Sequence, residues 1–150
     1  MSAGPRPTFS ELPRDETIAL IERNHVGRLA FTFHDRVDIE PISYVYADGW
    51  LYARTSEGAK LGTLRHHPWV AFEVDEVESH FDWRSAVVRG TIYFLDPERS
   101  AQEGQEYGAA VELLQSFDPE AFTEADETPF RRAVFRIHAD EITGRRALPD

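Results

Sequence analysis

No cysteine occurs in the 150 residues, which removes disulfides, thiolate metal ligands, iron–sulfur clusters and cysteine nucleophiles together. Long apolar runs are missing too. Stretches such as Ser85-Ala86-Val87-Val88 are a few residues long, far below the ~20 that a membrane-crossing helix needs. The first ten residues carry two prolines and no apolar segment, so no secretory signal is read there and the cytoplasm is the expected location. Positive charge is scarce: 16 Lys and Arg stand against 27 Asp and Glu, a formal net of −11. Such a surface repels nucleic-acid backbones and anionic lipid, so neither is an expected partner. An anionic ligand would need a locally positive pocket on a negative protein. GxGxxG, P-loop, GxSxG and HExxH patterns are all absent, which argues against the standard dinucleotide, nucleoside-triphosphate, hydrolase-elbow and zincin folds.

What is present is an ordinary globular mixture, 41% hydrophobic and 29% charged, of a length that suits one domain. Residues 1–11 read as a flexible arm, with Phe9 able to dock on the body, and residues 12–150 as a single domain. A helix is expected from about Pro13, with Asp15 and Glu16 at its positive end and Asn24 as its stop. The period then changes to two. Leu29, Phe31 and Phe33 share one face of a strand, and His34-Asp35-Arg36 makes a turn into a second strand, Val37 to Tyr46, with Pro41 marking an edge or bulge. Asp48-Gly49 signals a tight hairpin into Trp50–Arg54. A short helix carries Lys60, Leu61 and Leu64, and a strand follows through Val70, Phe72 and Val74. Trp83 to Leu95 is a long strand in which Gly90 marks a bulge or close approach. Asp96-Pro97-Glu98 reads as a helix start, and a last strand runs from Phe130 to about Ile142, before Gly144. About six strands, mostly joined by hairpins, make a mainly β protein with flanking helices. An antiparallel barrel suits this order; a doubly wound parallel sheet does not.

Four stretches could carry chemistry. In Arg54-Thr55-Ser56-Glu57-Gly58-Ala59-Lys60 a strand ends in a Gly-containing loop that opens a helix, bringing two hydroxyls and two cations close together. Amide donors at a helix start, with Arg and Lys beside them, suit a phosphate dianion. The same residues also suit an ordinary polar turn. Around Pro41-Ile42-Ser43-Tyr44, the proline leaves backbone groups free to bond the rim of a planar ligand, or marks a plain edge strand. Trp83-Arg84-Ser85 puts an aromatic beside polar groups that could touch a ring system, although such a tryptophan equally serves as a core or interface anchor. The six histidines form no metal-ligand spacing: His66 and His67 are adjacent on a helix end and point about 100° apart. No metal site is expected.

Taken in order, these stretches resemble the pyridoxamine 5′-phosphate oxidase-like family of FMN-binding split barrels, and within it the branch of nitroimidazole-resistance (Nim-type) proteins. The resemblance runs from about Leu12 to Ala147. It rests on Gly27-Arg28-Leu29-Ala30, Pro41 to Tyr46, Leu51-Tyr52 through Lys60-Leu61, His67 to Phe72, Trp83 to Gly90, and Glu141-Ile142-Thr143-Gly144-Arg145. It implies a homodimer with two FMN sites at the subunit interface and a small-molecule substrate. Pro41, Ile42 and Ser43 would lie along the isoalloxazine, and Arg54, Thr55, Ser56 and Lys60 would hold the phosphate. Ser85 would touch the flavin, and Trp83 would approach from near the dimer seam. Two departures matter. Ala59 stands where some Nim-type proteins have a histidine implicated in their chemistry, and no substrate pattern of the true pyridoxamine phosphate oxidases is found near the C-terminus. The expected function is therefore an FMN-dependent oxidoreductase of unidentified substrate. The alternatives are a non-catalytic flavin- or haem-binding protein, or a reductase of the same fold that uses a deazaflavin.

Overall fold

The computed structural model describes Gly4 and residues 6–150. Its elements run β1 (Thr8–Glu11), α1 (Arg14–Arg23), β2 (Val26–Phe33), β3 (Arg36–Ala47), β4 (Trp50–Thr55), α2 (Ala59–His66), β5 (Trp69–Ser79), β6 (Asp82–Phe94), α3 (Ala101–Phe117) and β7 (Ala133–Leu148). Local chemistry sets most of the boundaries. Pro13 precedes α1, acids fill its first turn and Arg23 its last, and the helix buries Thr17, Leu20 and Ile21. The β2–β3 hairpin turns through His34 and Asp35 at φ 51° and 60°. The β3–β4 hairpin turns through Asp48 and Gly49 at φ 49° and 85°. Two successive left-handed residues match the right-handed twist of the strands they join.

The strands pair antiparallel in the order β1-β7-β4-β3-β2-β5-β6, and β6 also pairs with β7. That last pairing closes six strands into a ring, on which β1 is an addition. β7 reaches three partners because it is long: Ala133–His138 pairs with β4, Arg145–Leu148 pairs with β1, and the other side runs along β6. Two seams of the ring are short. β2 meets β5 only at Arg28–Ala30, and β3 meets β4 only at Tyr44–Ala47. Among the described residues, Arg36–Ser43 of β3 therefore has β2 on one side and no strand on the other. These short seams split the barrel. Its interior is filled by Leu29, Phe31, Tyr44, Phe72 and Phe135 among others. A second, smaller cluster under α3 gathers Val45, Ala110, Leu114 and Val134.

Four expectations are corrected. Among the described residues there are seven strands, not six. The seventh lies in the stretch read as a flexible arm: Thr8–Glu11 pairs with Arg145–Leu148, and Phe9 packs 6.1 Å from Phe81 and 6.3 Å from Trp83 between ring centres. Residues 1–3 and 5 of that arm lie outside the described residues. α3 begins at Ala101, because Asp96 accepts from the Glu98 amide in a turn and Ser100 takes the capping position, accepting from the Glu103 amide at 3.1 Å. Finally, β7 does not stop before Gly144 but runs through it. A Cβ there would sit 2.1 Å from Thr17 Oγ1, so the glycine lets α1 pack directly on the strand. Among the described residues no helix is long and apolar enough to cross a membrane.

Candidate functional site

A cavity of about 320 Å³ opens where the end of β4, the loop to α2 and the inner face of the barrel meet. Strand alternation builds its walls. Register places Leu29, Phe31 and Phe33 of β2 opposite Glu40, Asp38 and Arg36 of β3, so Glu40 and Ile42 turn inward with the aromatic face. Ile92, Phe94 and Phe135 close the far side. The polar groups gather at the mouth: Thr55, Ser56, Glu57 and Lys60. An apolar slot with a few polar groups at one end is the usual form of a small-molecule site, and this volume lies at the lower end of the common range.

Lys60 is the only lysine in the chain. It donates to Asp38 at 2.9 Å and also to Glu40, and its ammonium lies 5.6 Å from the centre of the Phe31 ring. The hydrogen bonds to Glu40 and Asp38 raise its pKa above the ordinary lysine value, and the bond from Lys60 lowers that of Asp38. The mouth thus contains a protonated amine already shared between two carboxylates.

Of the residues singled out from the sequence, the structure brings four to this cavity: Ile42, Thr55, Ser56 and Lys60. Arg54 is not among those that line it. Leu51 and Ala53 of β4 point into the barrel, and alternation sends Arg54 to the other face with Tyr52, under α3. There it donates to both carboxylate oxygens of Asp126 at 2.6 and 2.9 Å and to Thr128 at 3.1 Å, and stacks 4.6 Å from the Phe122 ring. Within one chain, Arg54 is a buried structural cation.

Pro41, Ser43, Trp83 and Ser85 lie apart from the cavity as well. Register puts Pro41 beside Arg28, Arg28 beside Glu73, and Asp75 beside Ser85, all on the outer face of the sheet. The β6 residues that reach the cavity begin at Ile92, seven positions beyond Ser85, which is about 23 Å of strand. Ser85 Oγ instead donates to Glu73 at 3.0 Å, with Arg28 3.7 Å from the same carboxyl and 3.3 Å from Asp75. Partial burial foremost, and the charge of Asp75 after it, raise the Glu73 pKa against the hydrogen bond from Ser85. The sequence reading missed Asp38, Glu40 and Asp126. The alternation in Val37-Asp38-Ile39-Glu40 held a signal for the first two, since it places acids on the same face as Ile42 and aliphatics outside. Nothing local in the sequence points Asp126 at Arg54.

Six strands closed across two short seams, with an aromatic slot between the β4–α2 loop and the sheet, define a split β-barrel. The chain belongs to the pyridoxamine 5′-phosphate oxidase family, whose model matches residues 13–146. It is 26% identical over 144 residues to the uncharacterized protein RA0666 of Rhizobium meliloti, covering 91% of this chain and 93% of that one. Among solved structures, a FAD-binding protein from Mesorhizobium loti matches with a TM-score of 0.73 and 26% identity, over 93% of this chain and 98% of the other. A candidate 5-nitroimidazole antibiotic resistance protein from Bacteroides thetaiotaomicron shares the fold, with a TM-score of 0.69 at 18% identity over 93% and 88% of the two chains.

Proposed function

We propose that the chain is a homodimeric FMN-binding oxidoreductase acting on a small-molecule substrate. The observation that carries the reading is the cavity, with rings and aliphatics inside and hydroxyls with a lysine at its mouth, in a chain of this family. The Mesorhizobium relative, described as FAD-binding, supports a flavin. Ile42 would lie along the ring system, while Thr55, Ser56, Lys60 and the amides at the start of α2 would hold the phosphate. Arg54 supports this loop from beneath through Asp126. When bound, a flavin supplies reversible acceptance of electrons, and the protein's part is to position it and shield it from water.

The outer sheet face supports a second copy. Pro41, Ser43, Trp83 and Ser85 would reach the ligand only across a seam with a partner. The same face leaves Val37 83%, Ile39 61% and Trp69 72% exposed, more apolar surface than a monomer of this charge ordinarily shows. The homodimer predicts a light-scattering mass of about twice the 17.2 kDa of one chain. Flavin gives absorption near ~375 and ~450 nm, and a strong Soret band would instead mean haem. A monomer without a flavin spectrum, on purification and on addition of FMN, overturns the proposal. Turnover with NAD(P)H and an acceptor separates an enzyme from a carrier. Ala59 stands where a Nim-type histidine would be, so reduction of nitroimidazoles through that residue is not part of the reading.

Lys60 supplies a direct test of the phosphate end. Replacing it with glutamine should weaken FMN by about tenfold and leave riboflavin unchanged, since riboflavin has no phosphate. Glu40→Gln should act in the opposite direction. With one of its two carboxylates neutralised, Lys60 is freer to meet the phosphate, and FMN should bind about three- to tenfold tighter. A fluorescence titration in which both variants match the parent places the phosphate elsewhere.

A further inference from the structure

Beside the flavin cavity lies a second hollow of about 450 Å³, and the two share Phe94 and Glu57 in their walls. Its character is different. Arg65 from the end of α2, Arg99 from the turn before α3 and Arg132 from the approach to β7 all face it, together with Tyr107 of α3. Their other engagements are light. Arg65 makes a cation–π contact 5.4 Å from the centre of Phe94, and Arg99 lies 3.6 Å from Glu103. Among the described residues neither Arg65 nor Arg132 has a carboxylate within 4.0 Å. Two acids, Glu57 and Asp96, also line the hollow and Glu103 pairs with Arg99, so Arg65 and Arg132 are the two guanidinium groups there without a close carboxylate among the described residues. On a chain of net −11 this is a local pair of cations without close countercharge among the described residues. It contrasts with the flavin cavity, whose one lysine is held by two acids, and with Arg54, which is closed off by Asp126.

We infer that the Arg65–Arg99–Arg132 hollow takes a phosphate-bearing group other than the phosphate held at Thr55–Lys60. Guanidinium groups present paired donors that match phosphate oxygens, and they stay charged at any physiological pH. A tyrosine hydroxyl beside them adds a further donor. The shared wall at Phe94 and Glu57 makes the hollow the natural continuation of a ligand that starts in the aromatic slot. Two sources fit this chemistry: the second phosphate of a dinucleotide flavin, or the phosphate of a separate substrate lying against the flavin. The inference rests on the flavin reading only for what occupies the cavity next door.

The test is an Arg65→Gln/Arg132→Gln double variant, titrated with riboflavin, FMN, FAD and ADP alongside the parent. Both residues are exposed, so the melting temperature should stay within a few degrees of the parent. The expected result is a loss of about tenfold in affinity for FAD, or for ADP, in the double variant, with FMN changed less than about twofold and riboflavin not at all. Loss confined to FAD identifies a cofactor tail. ADP bound by the parent and lost by the variant identifies a separate phosphate-bearing ligand. FAD and ADP affinities that do not change, or an ADP site that is missing while FAD binds no better than FMN, overturn the inference. Failure of the flavin reading is seen separately: riboflavin, FMN and FAD then all fail to bind the parent, and the ADP titration alone decides the hollow.

Discussion

Arg54→Ala should lower the melting temperature steeply instead of acting first on ligand affinity. The Arg54 side chain is 10% exposed and that of Asp126 3%, so the pair is buried. Asp126 also accepts from the amides of Phe122 at 2.9 Å and Thr128 at 3.0 Å, and so organises the loop in which Phe122 takes a left-handed φ of 66°. Removing the guanidinium leaves a buried carboxylate with those amides but no countercharge. Breaking a buried pair by removing one partner costs about 3–5 kcal/mol. At the lower end of that range a domain of this size loses about 6–12 °C. Arg54→Lys should recover only part, since an ammonium cannot bond both carboxylate oxygens in one plane. Adding Asp126→Asn to Arg54→Ala should recover part as well, by removing the stranded charge. The sign of the pH effect follows from Asp126, whose carboxyl the Arg54 hydrogen bonds hold well below the usual carboxylate range. Its contribution is fully present above the unfolded carboxylate pKa and fades as pH falls beneath it, so parent and variant should converge only in acid. An Arg54→Ala protein that melts with the parent and binds FMN poorly would return Arg54 to the phosphate.

Gly90→Ala should be still more damaging. Gly90 sits in β6 at the register shift opposite β7, where a Cβ would stand 1.8 Å from the carbonyl oxygen of His138 and 3.0 Å from its carbon. The obstacle is backbone and cannot rotate away. It is also held in place: His138 pairs with Thr91 and Trp50, and the neighbouring Ala139 amide donates to Gly49 at 3.0 Å. Alanine would have to push β6 and β7 apart at the longest seam of the barrel. Overpacking against yielding side chains costs about 1–3 kcal/mol, and a rigid neighbour puts this site above that range. Domains are stable by about 5–15 kcal/mol, so the variant should be recovered poorly or with a much lower denaturation midpoint. Gly62→Ala and Gly108→Ala are the controls. Both glycines are helical with open space where the Cβ would go, and alanine there should be neutral or slightly stabilising. A Gly90→Ala midpoint equal to the parent's would mean that the close approach to His138 is not maintained in solution.

Much of the fold was legible because its signals are local. Asp48-Gly49 and His34-Asp35 name their turns through the residues that tolerate left-handed backbone, and Leu29, Phe31 and Phe33 alternate as a half-buried strand must. Gly90 stood out because a glycine inside a strand needs a reason. The start of α3 was misplaced because Asp96-Pro97 and Ser100 both offer capping chemistry, and only the turn geometry decides between them. Thr8–Glu11 was invisible as a strand because its partner lies some 137 residues away in the chain. The site divides the same way. The loop from Arg54 to Lys60 was readable from strand, glycine and helix in sequence. What neutralises its cations was not, because Asp126 reaches Arg54 from a remote loop, and Asp38 and Glu40 reach Lys60 through a register that no single strand reveals.

The three-way pairing of β7 has a consequence for how the molecule comes into being. Among the described residues β7 follows every other strand, yet it supplies the second edge of β4, the second edge of β6 and the sole partner of β1. During synthesis the hairpins β2–β3, β3–β4 and β5–β6 have what they need as soon as they emerge, but the ring stays open until the last sixteen-residue strand arrives. Until then β4 and β6 present bare hydrogen-bonding edges flanked by apolar side chains, the kind of surface that recruits other chains. Contacts of such long sequence separation also form slowly. The most hazardous moment for this protein is therefore the interval between finishing α3 and seating β7, and the acidic surface that repels neighbours is well suited to protecting it then.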